Sequence, residues 1–439
     1  MFFLYSILLT VASVVLLPRF VFDAVTKGKY AAGFFQRLGF VPKLDPRWKK
    51  IVWLHCVSVG ETNAARPVAQ RIKDDHPDTH LIISTTTRTG QKLARIAFAG
   101  IADLVFYFPF DWRSTVRRSI RRLRPTVILL METEIWFNFI RESSKSGSRI
   151  AIINGRLSER SFTRYSKIKG FMKRVLGYLD LALMQENADA TRLMSLGLRA
   201  SKVRVTGNLK FDHDLDDAET ALTAEFRQRF GITPEAPLII AASTHSPEEK
   251  WILDAFKEVW KSSGTNLPRL LIAPRHPERF AEVADLVKKT GFNWVRRSEA
   301  ESARDKAAEV ILLDSVGELR STFSLAEIVF VGGSLIPHGG QSIYEPASAG
   351  KAIITGAHTA NFEAAVKEFL EKEALVQLPR LSDKEVTARL VLEFKHLLSS
   401  ADTRDSLGIN AFAVMKNNRG AVERTLEYLE PLLRGRPQP

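Results

Sequence analysis

Residues 53–67 read WLHCVSVGETNAARP: an apolar run from Trp53 to Val57, a turn of small residues, then a carboxylate, Glu61. A helical pattern follows, with its N-cap expected at Thr62 or Asn63. An acid at the mouth of a strand-to-helix turn has two readings. The helix dipole favours it there with no further role. Alternatively, it stands at the carboxyl end of a parallel strand, where open α/β sheets keep their chemistry. A second stretch, FVGGSLIPHGGQSIYEPASAGKAIITGAHTANF (330–362), sets the pair Gly332-Gly333 before Ser334. The pair Gly339-Gly340 precedes Gln341, Ser342 and a helix through Glu345. Glycines let backbone N–H groups approach a phosphate, a helix N-terminus adds a favourable dipole, and Glu345 is placed to accept from a ribose diol. The spacing matches neither a phosphate loop of the G-x-x-x-x-G-K-[ST] type nor a G-x-G-x-x-G fingerprint, and tight turns at strand ends remain the alternative reading.

Other polar residues gather at predicted strand ends. In the second half these are Ser243, Thr244 and His245 of AASTH, and Arg275, His276 and Arg279 of APRHPERF. Arg275 and His276 suit a phosphate. Lys210 of TGNLKFD stands near the expected junction of two domains. The first half offers Thr85, Thr86 and Arg88, and then Glu132 and Glu134 of METEIW, which are candidates for an acceptor rim or for plain salt bridges. No metal site is expected: the nine histidines form no H-E-x-x-H and the acids no D-x-D pair. No serine occupies a G-x-S-x-G elbow. Cys56, the single cysteine, excludes an internal disulfide framework and reads as a small buried residue on a strand.

These residues need elements to position them. Short apolar runs at 50–57, 80–87, 103–109, 126–134, 149–155, 179–185 and 202–208 alternate with helical patterns such as 65–77 and 89–100. After a polar, acidic stretch at 211–221 the alternation restarts at 236–244, 267–275, 309–315, 327–334 and 351–356. Closing helices are expected over 383–398 and 408–433. The pattern predicts two doubly wound parallel sheets, each with its own core, and a cleft between them. A chain of 439 residues, 45% hydrophobic and 26% charged, has the length and composition of a two-domain globular protein.

Charge is unevenly placed. Of the net +14, residues 1–200 carry +17 and residues 201–439 carry −3. A basic half implies an anionic partner: nucleic acid, a phosphorylated substrate or anionic lipid. Residues 1–18, MFFLYSILLTVASVVLLP, are uncharged and slightly shorter than a typical span of about 20 residues. Cations follow at Arg19, Lys27, Lys29, Arg37, Lys43, Lys49 and Lys50, a collar that places the bulk of the chain on the cytoplasmic side. An uncleaved membrane anchor is expected, with an amphipathic or buried N-terminal helix as the alternative. The best nucleic-acid candidate, RRSIRRLRP (117–125), falls on a predicted helix without interleaved aromatics, so no nucleic-acid partner is expected.

Taken together, HCVSVGE, STTTRTG, METEIW, INGRLSERS, VTGNLKFD, STH, APRHPERF, FVGGSLIPHGG and TGAHTANF, in that order over almost the whole chain, resemble the lipid A 3-deoxy-D-manno-octulosonic acid (Kdo) transferases. The resemblance implies a GT-B glycosyltransferase of two Rossmann-like domains, preceded by an N-terminal anchor helix, at the inner membrane. The implied divisions are an anchor at 1–20, an acceptor domain at 21–208, a linker at 209–222 and a CMP-sugar domain at 223–439. It implies CMP-Kdo as donor, lipid IVA as acceptor, an inverting reaction with Glu61 as general base, anionic inner-membrane lipids as surroundings, and no cofactor. Donor contacts carry over to Lys210, Thr244, Arg275, His276, Gly333, Ser334, Gly340, Ser342 and Glu345. Ser342 stands where the family usually has Asn, and Phe137 where it has proline. A GT-B enzyme using another nucleotide-sugar on an anionic lipid is the competing expectation.

Overall fold

In the computed structural model, the described residues are 1–27, 33–132, 134–212, 220–233, 235–264 and 267–434, with the side chains of 17–27 and of residue 59 left aside. The side chains of Arg19, Lys27 and Lys29 and residues 213–219 of the expected linker lie outside them.

The chain divides into two units, 1–212 with 418–439, and 213–417. The first is built on β1 (Ile51–His55), β2 (His80–Thr85), β3 (Leu104–Tyr107), β4 (Val127–Met131), β5 (Arg149–Gly155), β6 (Leu181–Met184) and β7 (Val203–Val205). Their order is β3-β2-β1-β4-β5-β6-β7, paired in parallel. The second unit holds β8 (Leu238–Thr244), β9 (Arg269–Pro274), β10 (Trp294–Arg296), β11 (Val310–Leu312), β12 (Ile328–Val331), β13 (Ala352–Thr355) and β14 (Val376–Gln377), ordered β10-β11-β9-β8-β12-β13-β14, again parallel. The runs read from the sequence are all strands. The two that the sequence reading lacked, β10 and β14, are three and two residues long.

Both sheets are buried on two faces, so their strands read as continuous Val, Ile and Leu runs rather than alternating ones. In the first unit, Trp53, Ile128 and Phe139 belong to the core on one side of the sheet, and Leu54, Val68 and Leu129 to the core on the other. Ile240 and Ile353 are fully buried in the second unit, where Ile252, Phe256 and Phe394 pack in one core cluster. In each sheet the chain leaves its first strand, β1 or β8, in one direction and later returns on its other side. The resulting switch points lie between β1 and β4 and between β8 and β12.

Three boundaries differ from the sequence reading. First, the C-terminal segment does not close the second unit. The helices Asp383–Ser399 and Ala401–Asn417 stay there, but Gly420, at φ +84°, starts a separate helix, Ala421–Leu433, that belongs to the first unit. Its Val422, Leu429 and Leu433 enter the first core, and the Asp212 carboxylate accepts the N–H groups of Gly420 and Val422. Second, residues 209–211, expected in the linker, form a short helical turn in the first unit.

Third, residues 1–20, expected as a membrane anchor, belong to a longer helix that packs on the first unit. The helix Phe2–Lys27 docks its first turns on the first unit. Phe2 packs edge-on to Phe171, the Tyr5 hydroxyl donates to Asp111 at 2.9 Å, the Asn138 amide donates to Ser6, and the Trp112 indole donates to Thr10. Its other face leaves Phe3, Leu4, Ile7, Leu8, Val11, Val14 and Val15 exposed. Among the described residues, no helix is long and apolar enough to cross a membrane.

Asp212→Ala leaves two N–H groups at the start of the last helix without their acceptor. A loss of about 1–3 kcal/mol is expected in denaturant unfolding, together with faster amide exchange over 421–433. Unchanged exchange there would contradict the role given to Asp212.

Candidate active site

The first site is assembled at the β1/β4 switch point. The helix after β1 starts at residue 59, with Ser58 rather than Thr62 or Asn63 as its N-cap. The reason is a capping box: Ser58 Oγ accepts the Glu61 N–H at 3.2 Å, and Glu61 Oε1 accepts the Ser58 N–H at 3.2 Å. Glu61 Oε2 also accepts the Val57 N–H at 2.8 Å. The structural reading of this acid is therefore realised. It does not exhaust the residue, because each carboxylate oxygen keeps further acceptor capacity.

Glu61 is 5% exposed, and burial pushes its pKa up to about 7. The Val57 N–H and the Ser58 side chain work against that rise, and the neighbouring Glu132 and Glu134 add to it. Burial also raises Glu134. Cys56 is fully buried, as its apolar reading implied; desolvation, with Glu61 and Glu132 adding, holds its thiol well above the usual range.

Glu132 follows β4 directly and has φ +52°, a left-handed conformation that is costly for a non-glycine. Its carboxylate receives Lys210 Nζ at 3.1 Å. Lys210 is placed by two asparagines. Asn154 Oδ1 accepts the Leu209 N–H at 2.9 Å, and Asn208 Oδ1 accepts the Lys210 N–H at 3.0 Å. Lys210 therefore stands with the acids of the first unit, within reach of Gly60. Arg88 opens the helix Arg88–Ala97 after β2 and is exposed on the rim.

The second site lies at the β8/β12 switch point. Thr244, at the end of β8, is fully buried and its hydroxyl has no partner. His245 is 7% exposed with both ring nitrogens unpartnered; burial, reinforced by His338, His276 and Arg275, pushes its pKa down to about 4. His338 lies 4.1 Å and His276 5.3 Å from it, centroid to centroid. Arg275 and His276 are exposed at the end of β9. Ser342 and Glu345 flank the start of the helix Tyr344–Ser348. His338, which packs against His245, is the candidate that sequence reading missed; the signal was the PHGG run. Among the described residues, no group of three His, Cys, Asp or Glu side chains could hold a metal ion.

Three expected donor contacts have other partners. The Gly333 N–H donates to Glu248, and the Gly340 N–H to the Gly333 carbonyl at 2.8 Å. Ser334 is fully buried: its N–H goes to Glu248, its hydroxyl donates to the Val331 carbonyl and accepts the Gly356 N–H. The glycine pairs build the loop and leave these N–H groups unavailable to a ligand.

Comparison with known proteins adds the following. Residues 32–213 match the family described as 3-Deoxy-D-manno-octulosonic-acid transferase (kdotransferase). The chain is 33% identical over 431 residues to the 3-deoxy-D-manno-octulosonic acid transferase of Haemophilus influenzae, covering 98% of each chain. It is 31% identical to that of Bordetella pertussis, covering 87% of each. In fold it is similar to UDP-GlcNAc 2-epimerase from Neisseria meningitidis bound to UDP-GlcNAc, with a TM-score of 0.57, 13% identity, and 86% of this chain and 100% of that one covered.

The raised pKa of Glu61 makes a stability prediction. Between its ordinary value of 4.5 and about 7 the folded state holds the Glu61 proton more tightly than the unfolded state. The stability this confers is complete below 4.5 and lost as pH rises through about 7. Glu61→Gln removes the titration, so the variant should gain on the wild type as pH rises from 5 to 8, by at most about 3 kcal/mol. Denaturant unfolding of both proteins across that range measures it; a constant difference would contradict the shift.

Proposed function

This chain belongs to the 3-deoxy-D-manno-octulosonic acid transferase family, a family of glycosyltransferases, and we propose that it moves Kdo from CMP-Kdo to lipid IVA with inversion at the anomeric carbon. The observation that carries the mechanism is Glu61: a buried carboxylate with a pKa of about 7 at a sheet switch point, beside a lysine-neutralised acid. A group that titrates near the working pH is suited to general-base catalysis. Glu61 takes the proton of an acceptor hydroxyl as that oxygen attacks the anomeric carbon. The new carbon–oxygen bond forms as the bond to the CMP phosphate breaks, and the electron pair leaves on the phosphate.

Arg275 and His276 are assigned to the departing phosphate, Thr244 and Ser342 to hydrogen bonds with the donor, and Glu345 to the ribose hydroxyls. CMP is a competent leaving group once its charge is met by fixed cations, so no metal or other cofactor is required. Lys210 compensates Glu132, which leaves Glu61 as the group that exchanges a proton. Arg88 and Glu134 border the acceptor side.

The surroundings proposed are the cytoplasmic face of the inner membrane. The support is the exposed apolar ridge of the N-terminal helix, from Phe3 to Val15, on the unit that carries the chain's excess positive charge. With its opposite face docked on protein, this helix lies in the interface instead of spanning it. Charge on the ridge tests this: Phe3→Glu with Leu8→Glu should abolish co-sedimentation with vesicles containing anionic lipid and leave the Tm unchanged. Sedimentation equal to that of the wild type would refute the ridge as the contact.

The activity test is transfer from CMP-Kdo, generated in situ, to lipid IVA in detergent with EDTA present, read by mass spectrometry of the lipid. Kdo addition is expected, and Glu61→Gln should lower kcat by about 10²–10⁴-fold. The wild-type log kcat should rise with pH up to about 7 and then level, because the base must be unprotonated. No addition by folded protein with donor present would favour another nucleotide-sugar on an anionic lipid.

A further inference from the structure

Glu248, the first residue of the helix Glu248–Ser262, lies fully buried at the β8/β12 switch point. Its carboxylate accepts four backbone N–H groups: His245 at 3.0 Å, Gly333 at 2.7 Å, Ser334 at 3.0 Å and Leu335 at 3.0 Å. Its own N–H returns to the His245 carbonyl at 2.7 Å. The four groups facing the carboxylate are all donors; burial raises its pKa and these N–H bonds oppose that rise. Gly332 is required beside it. A Cβ at that position would stand 2.7 Å from the Ser243 carbonyl oxygen and 3.0 Å from the Glu248 carboxylate.

Successive N–H groups after a strand, facing a helix N-terminus at a switch point, are what doubly wound folds offer to a phosphate. Here a protein carboxylate fills that nest, and a second anion cannot share it. The carboxylate also joins two loops. Through His245 it holds the end of the loop that bears the unpartnered imidazole. Through Gly333 and Ser334 it holds the loop whose carbonyls receive the N–H groups of Gly340 and His358.

We propose that Glu248 is a positioning residue for donor binding: its carboxylate occupies the backbone nest in place of the donor phosphate and fixes the His245 and Gly333 loops that shape the donor site. This rests on the reading of the second unit as the CMP-sugar unit. The donor phosphate is accordingly met at the outer edge, by Arg275, His276 and the segment from Ser342, and not by the first glycine pair.

Two measurements on the full-length protein test this. In wild-type protein, amide hydrogen exchange with and without CMP should show 333–335 protected in both states and added protection over 342–345 with CMP. Kinetically, Glu248→Gln should raise the KM for CMP-Kdo about tenfold or more and leave the KM for lipid IVA unchanged. In Glu248→Ala, added formate, a small carboxylate for the emptied nest, should restore part of the donor affinity, which a purely packing role would not allow. Protection of 333–335 that appears only with CMP, or a Gln variant with an unchanged donor KM, overturns the proposal. Should the variants fail to fold, the wild-type exchange result decides alone. Absence of any CMP-dependent protection in the second unit overturns the donor reading itself, a different outcome from protection that falls on the wrong loop.

Discussion

A buried carboxylate folded back onto backbone N–H groups stands at the first crossover of each unit, and the architecture of both sites depends on it. Glu61 accepts two N–H groups and lies near two further acids; Glu248 accepts four. The balance of those terms separates their chemistry. Two hydrogen bonds do not overcome burial and like charge, so Glu61 is poised to exchange a proton near neutral pH. Burial raises Glu248 as well, but four N–H bonds oppose that rise and tie its carboxylate to two loops, so its part is geometric. The same local device gives an acid of raised pKa beside other acids in one unit and a carboxylate joining two loops in the other.

Around these acids the strand ends are bent into sparsely populated backbone. Glu132, Asn154 and Ser243, none of them glycine, have φ near +50°. Such residues cost on the order of 1 kcal/mol or more each and persist where the surroundings over-determine them. For Asn154 the gain is explicit. Its side chain reaches the Leu209 N–H, which sets the turn that delivers Lys210 to Glu132. Local strain at β4 and β5 is thereby converted into a fixed ion pair beside Glu61.

Much of this was legible in the sequence because fully buried parallel strands announce themselves as unbroken aliphatic runs. The strands that escaped, β10 and β14, are too short for any periodicity to register. The start of the helix after β1 was legible and was misplaced: Ser58-x-x-Glu61 is the capping-box spacing, which outranks Thr62 or Asn63. The glycine pairs were read as facing a ligand because a sequence shows which backbone is open to an anion but not which anion arrives. The carboxylate that takes the Gly333 N–H lies 85 positions away. The last helix was assigned to the wrong unit for a related reason. Apolar spacing in Ala421–Leu433 marks a buried face without naming the sheet that buries it.

The docked N-terminal helix connects these points to the proposed membrane setting. Asp111 accepts the N–H groups of Asn138 and Phe139 in the first turn of the helix Phe137–Lys145, and the same carboxylate takes the Tyr5 hydroxyl. Burial pushes Asp111 up to about 7, opposed by the donors that hold it. That helix begins five residues after Glu132, so the apolar ridge is tied through Asp111 to the segment that carries the acids of the candidate site. On the proposed membrane setting, a ridge clamped through Asp111 would hold Glu61 at a fixed distance from the lipid surface, which a freely hinged anchor would not.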